Sequence, residues 1–200
     1  VPNIISVTPA LPVNSLAELV ALAKAKPGQL SYASSGNGTS THLAAELFKA
    51  AAGIDIAHIP YKGSAPAVTD VIAGQVPVLV DSVASSTAQV KAGKLKALAT
   101  TSSKRLLVLP ELPTVAESGY PGFQSTAWVG LLAPAGTPKA IVEQINAAVL
   151  KVMALPETRE RMAGFGAEIT TSTPDEFAAH IRSEMAKLGK VIRDANIKVN

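Results

Sequence analysis

At 200 residues, with 48% hydrophobic side chains and a formal charge of +3, the chain is long enough to bury a sizeable core in one domain or two small lobes. The positive charge is spread without a lysine or arginine block and aromatic residues make up only 4%, which argues against a nucleic-acid surface. The lack of cysteine excludes disulfides, thiolate metal sites and a cysteine nucleophile, and no apolar stretch approaches the roughly 20 residues of a membrane-spanning helix.

The first half alternates short β-branched runs with Ala/Leu-rich segments of helical period, the signature of parallel βα units and hence of an α/β fold. Strands are predicted near Ile4–Val7, Leu30–Ala33, Ile54–Ile59, Val76–Val80 and Lys96–Thr100. Between them, helices are predicted near Ser15–Ala25, Thr39–Ala52, Ala65–Ala73 and Ala84–Ala92, several followed by a glycine suited to a left-handed cap: Gly28, Gly53, Gly74 and Gly93. Ser15 with Glu18, Thr114 with Glu117 and Thr173 with Glu176 read as capping boxes, and Pro174 sits at the favoured first helical position.

From about Leu109 the rhythm changes to Pro-Glu-Leu-Pro-Thr and then Ser118-Gly-Tyr-Pro-Gly-Phe123, a turn-rich passage that reads as a crossing between lobes. Beyond it, a strand is predicted near Trp128–Ala133 and a second at Glu168–Thr170. Helices are predicted over Lys139–Met153, Pro156–Gly164 and, as a long amphipathic segment, Pro174–Asn196. With so few strands, residues 124–200 are underprovided to close a sheet of their own.

The segment richest in chemistry is Leu30-Ser-Tyr-Ala-Ser-Ser-Gly-Asn-Gly-Thr-Ser-Thr-His-Leu43, where a strand breaks into a hydroxyl-rich glycine loop and then a helix. Glycines let a backbone approach a ligand, and the free amides and positive dipole end of a helix start favour a carboxylate or phosphate. The lysine of a nucleotide-binding loop is absent, and Gly36-x-Gly38 lacks the later glycine of a dinucleotide fingerprint. A small organic acid is therefore the better fit. Ser34, Ser35, Gly36, Asn37, Gly38, Thr39 and Ser40 are the candidate contacts, with Thr41 as a further hydroxyl; the competing reading is that Thr39 or Ser40 merely caps the helix.

Two further strand-to-helix junctions fall at the edge where an open parallel sheet binds ligands. One, Ile59-Pro-Tyr-Lys-Gly-Ser64, offers Tyr61, whose alternative is packing, and Lys62, expected to be solvated. The other carries Asp81, which either caps the following helix or faces the ligand; an unpaired carboxylate there would oppose a bound anion. Trp128 lines a cleft or packs in a core. His42, His58 and His180 are far apart in sequence and show no metal-ligand spacing, and no serine stands in Gly-x-Ser-x-Gly. His42, in the first turn of its helix, either touches the ligand or is an ordinary hydrogen-bonding histidine. No metal, cofactor or catalytic group is assigned.

Tyr32-Ala-Ser-Ser-Gly-Asn-Gly-Thr39 with His42-Leu43, His58-Ile-Pro-Tyr-Lys-Gly63, Leu112-Pro-Thr-Val-Ala-Glu117 and Trp128-Val-Gly-Leu-Leu-Ala-Pro-Ala-Gly-Thr-Pro138 follow one another along nearly the whole chain. Together they closely resemble the Bug family, the periplasmic substrate-binding proteins of tripartite tricarboxylate transporters. The resemblance implies a two-lobed, periplasmic-binding-protein-like α/β fold that holds a di- or tricarboxylate, or another small organic acid, between its lobes. It implies delivery of that acid to membrane permease subunits, a periplasmic location, no cofactor, no chemistry and a monomer when intact. It further implies that residues 1–123 are lobe two and 124–200 the C-terminal part of lobe one, the N-terminal part of lobe one being absent from this chain. The family's lobe-two ligand loop maps onto Ser34–Ser40. Two other classes stay open at this point: the effector-binding region of a transcriptional regulator, which uses a similar fold, and an enzyme acting on organic acids.

Overall fold

The computed structural model describes residues 1–197. Its centre is a five-stranded sheet of β1 (Asn3–Val7), β2 (Ser31–Ser34), β3 (Ala57–Pro60), β4 (Val78–Ser82) and β5 (Lys96–Thr100), in the order β3-β2-β4-β1-β5. Four helices connect the strands: α1 (Leu16–Ala25), α2 (Ser40–Ala52), α3 (Ser64–Ile72) and α4 (Val83–Lys91). Every one of these nine elements lies within a few residues of its sequence expectation.

The sheet is mixed, which corrects the expectation of parallel units throughout. β2 runs parallel to both β3 and β4, whereas β1 is inserted between β4 and β5 and is antiparallel to each. Apolar alternation states which residues face inward and not the direction in which a strand runs, so the reversal of β1 leaves no trace in composition.

Alternate strand residues feed two apolar layers. Ile5, Val7, Tyr32, Val78 and Val80 pack on one face with Leu16 and Leu19 of α1 and Ala44, Ala45 and Phe48 of α2. Ala33 and Leu79 pack on the other face with Ala67 and Val71 of α3. Fully burying such side chains contributes about 1.5–3 kcal/mol each relative to exposure, so the two layers are the main source of stability. The turn-rich passage folds back on the first layer: Tyr120 and Phe123 meet Phe48 edge-on, with ring centroids 5.7 and 6.4 Å away.

That passage ends in a crossing of two chain segments. Pro2 bridges Thr126 in antiparallel fashion, the amino terminus donates to the Ala127 carbonyl at 2.7 Å, and the Ala127 amide donates to the Val1 carbonyl at 2.9 Å. Thr101 locks the crossing to the sheet, its hydroxyl accepting from the Asn3 amide and donating to the Ser125 carbonyl.

Beyond the crossing lie α5 (Lys139–Ala154), α6 (Pro156–Gly164) and α7 (Pro174–Asp194), none of which has a fully buried residue. The capping box of Thr173 and Glu176, with Pro174 in the first turn, starts α7 as expected. The strands expected at Trp128–Ala133 and Glu168–Thr170 do not form. Both segments have a strand-like composition, but among the described residues neither finds a backbone partner, and Val129, Leu131 and Leu132 are more than two-thirds exposed. Among the described residues, none after residue 123 forms a strand, in keeping with a segment underprovided to close a sheet of its own. Trp128, 42% exposed, is neither a core residue nor free. Its ring stands edge-on to Phe177 and His180 of α7, at 5.5 and 5.1 Å.

Phe48 carries the contact between α2 and the returning passage, so Phe48→Ala is expected to lower unfolding free energy by roughly 3–5 kcal/mol. Leu107→Ala, at a side chain 93% exposed, is expected to stay within about 0.5 kcal/mol. Denaturant unfolding of both variants measures the difference.

Candidate functional site

The C-terminal ends of β2, β3 and β4 lie along one edge of the sheet, and the helices that follow them, α2, α3 and α4, all begin there. Each start is short of acceptors for its first amides and carries the positive end of a helix dipole. The edge is therefore electropositive without a formal charge having to face it.

The β2–α2 loop is built by its own hydroxyls. Ser35 Oγ lies 2.8 Å from Thr41 Oγ1, Thr39 Oγ1 lies 2.9 Å from the same atom, and Ser35 Oγ donates to Thr39 Oγ1 at 3.3 Å. Thr41 Oγ1 also accepts the Ser35 amide at 3.0 Å, and Thr39 Oγ1 donates to the Gly36 carbonyl at 2.7 Å. Thr39 is the helix cap, accepting from the His42 amide. The capping reading is thus right for Thr39, and the remaining hydroxyls are not all surplus: two of them, Ser35 and Thr41, close a ring with it. What the loop leaves to the outside is different. Asn37 and Ser40 are exposed, and no acceptor among the described residues meets the amides of Ser40 and Thr41.

Gly36 has φ +146°, and a Cβ there would sit 3.1 Å from the Tyr61 carbonyl. The approach is that close because the second junction is laced to the first, the Tyr61 amide donating to the Ser34 carbonyl and the Gly63 amide to the Ser35 carbonyl. Tyr61 itself packs, as its alternative reading has it. Its hydroxyl donates to Asp70 at 2.7 Å, and burial together with that bond pushes the phenol up to about 12. Lys62 is exposed, as expected. Gly63 caps α3 without a side-chain bond.

Asp81 is fully buried, and its carboxylate accepts from the hydroxyls of Ser64 at 2.6 Å, Ser85 at 2.6 Å and Ser86 at 3.0 Å. It is not the cap of α4, a role that falls to Ser82. Asp81 instead fastens the first turns of α3 and α4 to the end of β4, and three donors satisfy it without a cation.

Behind the loop lies a cluster that linear spacing concealed. His42 and His58 stack at 3.7 Å between ring centroids, and Tyr32 stacks on His58 at 4.9 Å. Tyr32 and His58 are register partners on β2 and β3, so they share the sheet face that α2 covers. His42 Nδ1 accepts the Gly38 amide at 3.0 Å, and His58 Nε2 lies 2.6 Å from Ser34 Oγ, which accepts the Gly36 amide. Glu46 accepts from Tyr32 at 2.7 Å and pairs with Lys49 at 2.8 Å. Burial holds His42 below its ordinary value, and burial plus the neighbouring imidazole brings His58 to about 4. Burial and the bond to Glu46 push the Tyr32 phenol up. Among the described residues no group of three or more His, Asp or Glu side chains is placed to hold a metal ion.

The α/β fold is shared with solved periplasmic binding proteins. The structure superposes on a protein of R. palustris solved with adipate at a TM-score of 0.87 and 38% identity, over 98% of this chain and 66% of that one. It superposes on MatC from Rhodopseudomonas palustris, solved with bound malate, at a TM-score of 0.82 and 29% identity, over 96% of this chain and 66% of that one. BugT of Bordetella pertussis is 35% identical over 199 residues, covering 100% of this chain and 61% of its own length. The model of the tripartite tricarboxylate transporter family receptors matches residues 1–197, and the chain belongs to that family. It spans 60% of the length of one curated relative and 61% of that of BugT.

Both histidines have folded-state values below the unfolded value of about 6.5, so the unfolded chain binds protons first as pH falls. Their contribution to stability is expected to be complete above about pH 6.5 and to be lost as pH falls toward 4. Denaturant midpoints across that window, for the parent and for His58→Phe, measure it: the variant is expected to show the shallower decline. Gly36→Ala is expected to destabilise the loop, because the residue would need both a disfavoured φ and a shift of the Tyr61 carbonyl.

Proposed function

We propose that this protein is a periplasmic solute receptor that captures a small organic acid, of the di- or tricarboxylate class, between two lobes and hands it to membrane permease subunits without altering it. The observation that carries the reading is the convergence of three helix starts at one sheet edge, with no acceptor among the described residues for the Ser40 and Thr41 amides. Family membership and the adipate and malate held by its solved neighbours support the same ligand class.

In this reading residues 1–123 are lobe two and 124–200 are the C-terminal part of lobe one. The antiparallel pairing of Val1–Pro2 with Thr126–Ala127 is the hinge between them. The exposed apolar side chains of Val129, Leu131 and Leu132 accord with a first lobe completed by further chain. The ligand loop is Ser34, Ser35, Gly36, Asn37, Gly38, Thr39 and Ser40. Its exposed edge and the α2 amides receive a carboxylate, while Tyr61 and Asp81 act from behind by fixing the neighbouring junctions. Charge-assisted hydrogen bonds contribute about 1.5–3 kcal/mol each, so a few of them reach the roughly 8 kcal/mol of micromolar binding after association costs.

Calorimetric titration of the encoded full-length protein against adipate, malate, citrate and monocarboxylate controls tests the reading. Saturable binding of one of the acids, recovered unchanged, is expected. Silence toward all of them overturns it. Ser35→Ala combined with Thr39→Ala opens the hydroxyl ring and is expected to weaken that binding more than tenfold while the fold, followed by circular dichroism, is kept.

A further inference from the structure

The first turn of α2 departs from the usual helix start in one atom type. In a capping box the third helical residue is Glu or Gln, whose side chain turns back to accept a backbone amide from just before the helix. Here Thr39 is the cap, and the third residue is His42. Its Nδ1 accepts the amide of Gly38, one residue before the cap, at 3.0 Å, whereas a capping-box carboxylate takes the cap's own amide, which here donates to the Gly36 carbonyl. A glutamate at this place would hold a full negative charge within one helical turn of the Ser40 and Thr41 amides, where it would repel an incoming anion. An imidazole with a lone pair on Nδ1 ties Gly38 to the helix start with no charge at all.

We infer that His42 is a positioning residue for carboxylate capture: it closes the loop onto the helix start as a neutral acceptor and so keeps that start free of negative charge. The inference rests on the receptor reading of the site.

The surroundings enforce the neutral state. His42 is 5% exposed, with His58 stacked on one face of its ring. Among the described residues, the titratable and charged groups that face the pair are Tyr32 from β2 and Glu46 and Lys49 from α2; the chain just past α7 contributes Ala195, Asn196 and Ile197, which do not titrate. Glu46 is neutralised by Lys49 at 2.8 Å and accepts the Tyr32 hydroxyl, and its nearest oxygen is 3.9 Å from His42 Nε2, beyond hydrogen-bond range. Burial lowers the ring's affinity for a proton; Glu46, within ion-pair range at 3.9 Å, acts the other way, and Lys49 opposes Glu46. His58 adds a parallel brace, meeting Ser34 Oγ at 2.6 Å, and that oxygen accepts the Gly36 amide. Both glycine amides of the loop are thus held from behind by side chains, which sets the backbone between them.

Three substitutions in the full-length protein separate this role from simple packing. His42→Gln supplies a neutral acceptor, His42→Leu supplies none, and His42→Glu supplies an acceptor with charge. Titration with the acid that the parent binds is expected to give an affinity within about threefold of the parent for the glutamine variant. It should be about tenfold weaker for the leucine variant, the loss of one hydrogen bond near 1.4 kcal/mol, and at least as weak for the glutamate variant. Exchange of the Gly38 amide in the ligand-free protein, read by nuclear magnetic resonance, should be faster in the leucine variant and restored in the glutamine variant. Leucine and glutamine variants of equal affinity, or a glutamate variant that binds as the glutamine one does, overturn the inference while the receptor reading stands. A parent that binds none of the acids overturns the receptor reading and the inference with it, whereas unchanged Gly38 exchange in the leucine variant overturns the inference alone.

Discussion

The molecule is organised by the need to hold several helix starts at one sheet edge without neutralising them. A helix start exposes amides that must find acceptors, and the ordinary remedy is a carboxylate nearby. In this protein hydroxyls do most of that work. Thr39 caps α2, Ser82 caps α4, and Gly63 opens α3 with no side-chain bond. The carboxylate at the end of β4, Asp81, is buried and accepts from Ser64, Ser85 and Ser86. Its charge is spread over three donors, and none of it is presented at the edge.

Much else follows from that constraint. The glycines at positions 36 and 38 allow the loop to lie flat against the Tyr61 carbonyl and to turn into α2, and the hydroxyl ring of Ser35, Thr39 and Thr41 makes the turn self-supporting. The Gly36 and Gly38 amides are taken by Ser34 and His42, while no acceptor among the described residues meets those of Ser40 and Thr41. Preorganisation of this kind reduces the ordering that a ligand has to impose, which is where much of the cost of binding small polar molecules lies.

The element order was legible because each strand and helix in the first half carries its own period and its own stop. Glycines at positions 53, 74 and 93 adopt the left-handed conformation expected of them. The loop was legible for the same local reason: hydroxyls and glycines between a strand and a helix have few uses. Direction and register were not. Nothing in Asn3–Val7 tells that β1 runs against both neighbours, and nothing in the spacing of His42 and His58 tells that β2–β3 register and the docking of α2 bring their rings together. The failed strand at Trp128–Ala133 is the converse case, since β propensity expresses itself only where a partner edge exists. Asp81 was placed at the right edge but given the wrong partner, because a neighbouring Ser82 offers the same capping chemistry one residue later.

The edge-on contacts of Trp128 with Phe177 and His180 have a spectroscopic consequence. The chain contains a single tryptophan, and it stands just past the crossing, half-open to solvent and clasped by the first turns of α7. Its emission is a native, site-specific optical probe of whether that helix stays seated against the segment past the crossing. No dye or engineered label is needed to follow such a movement in real time.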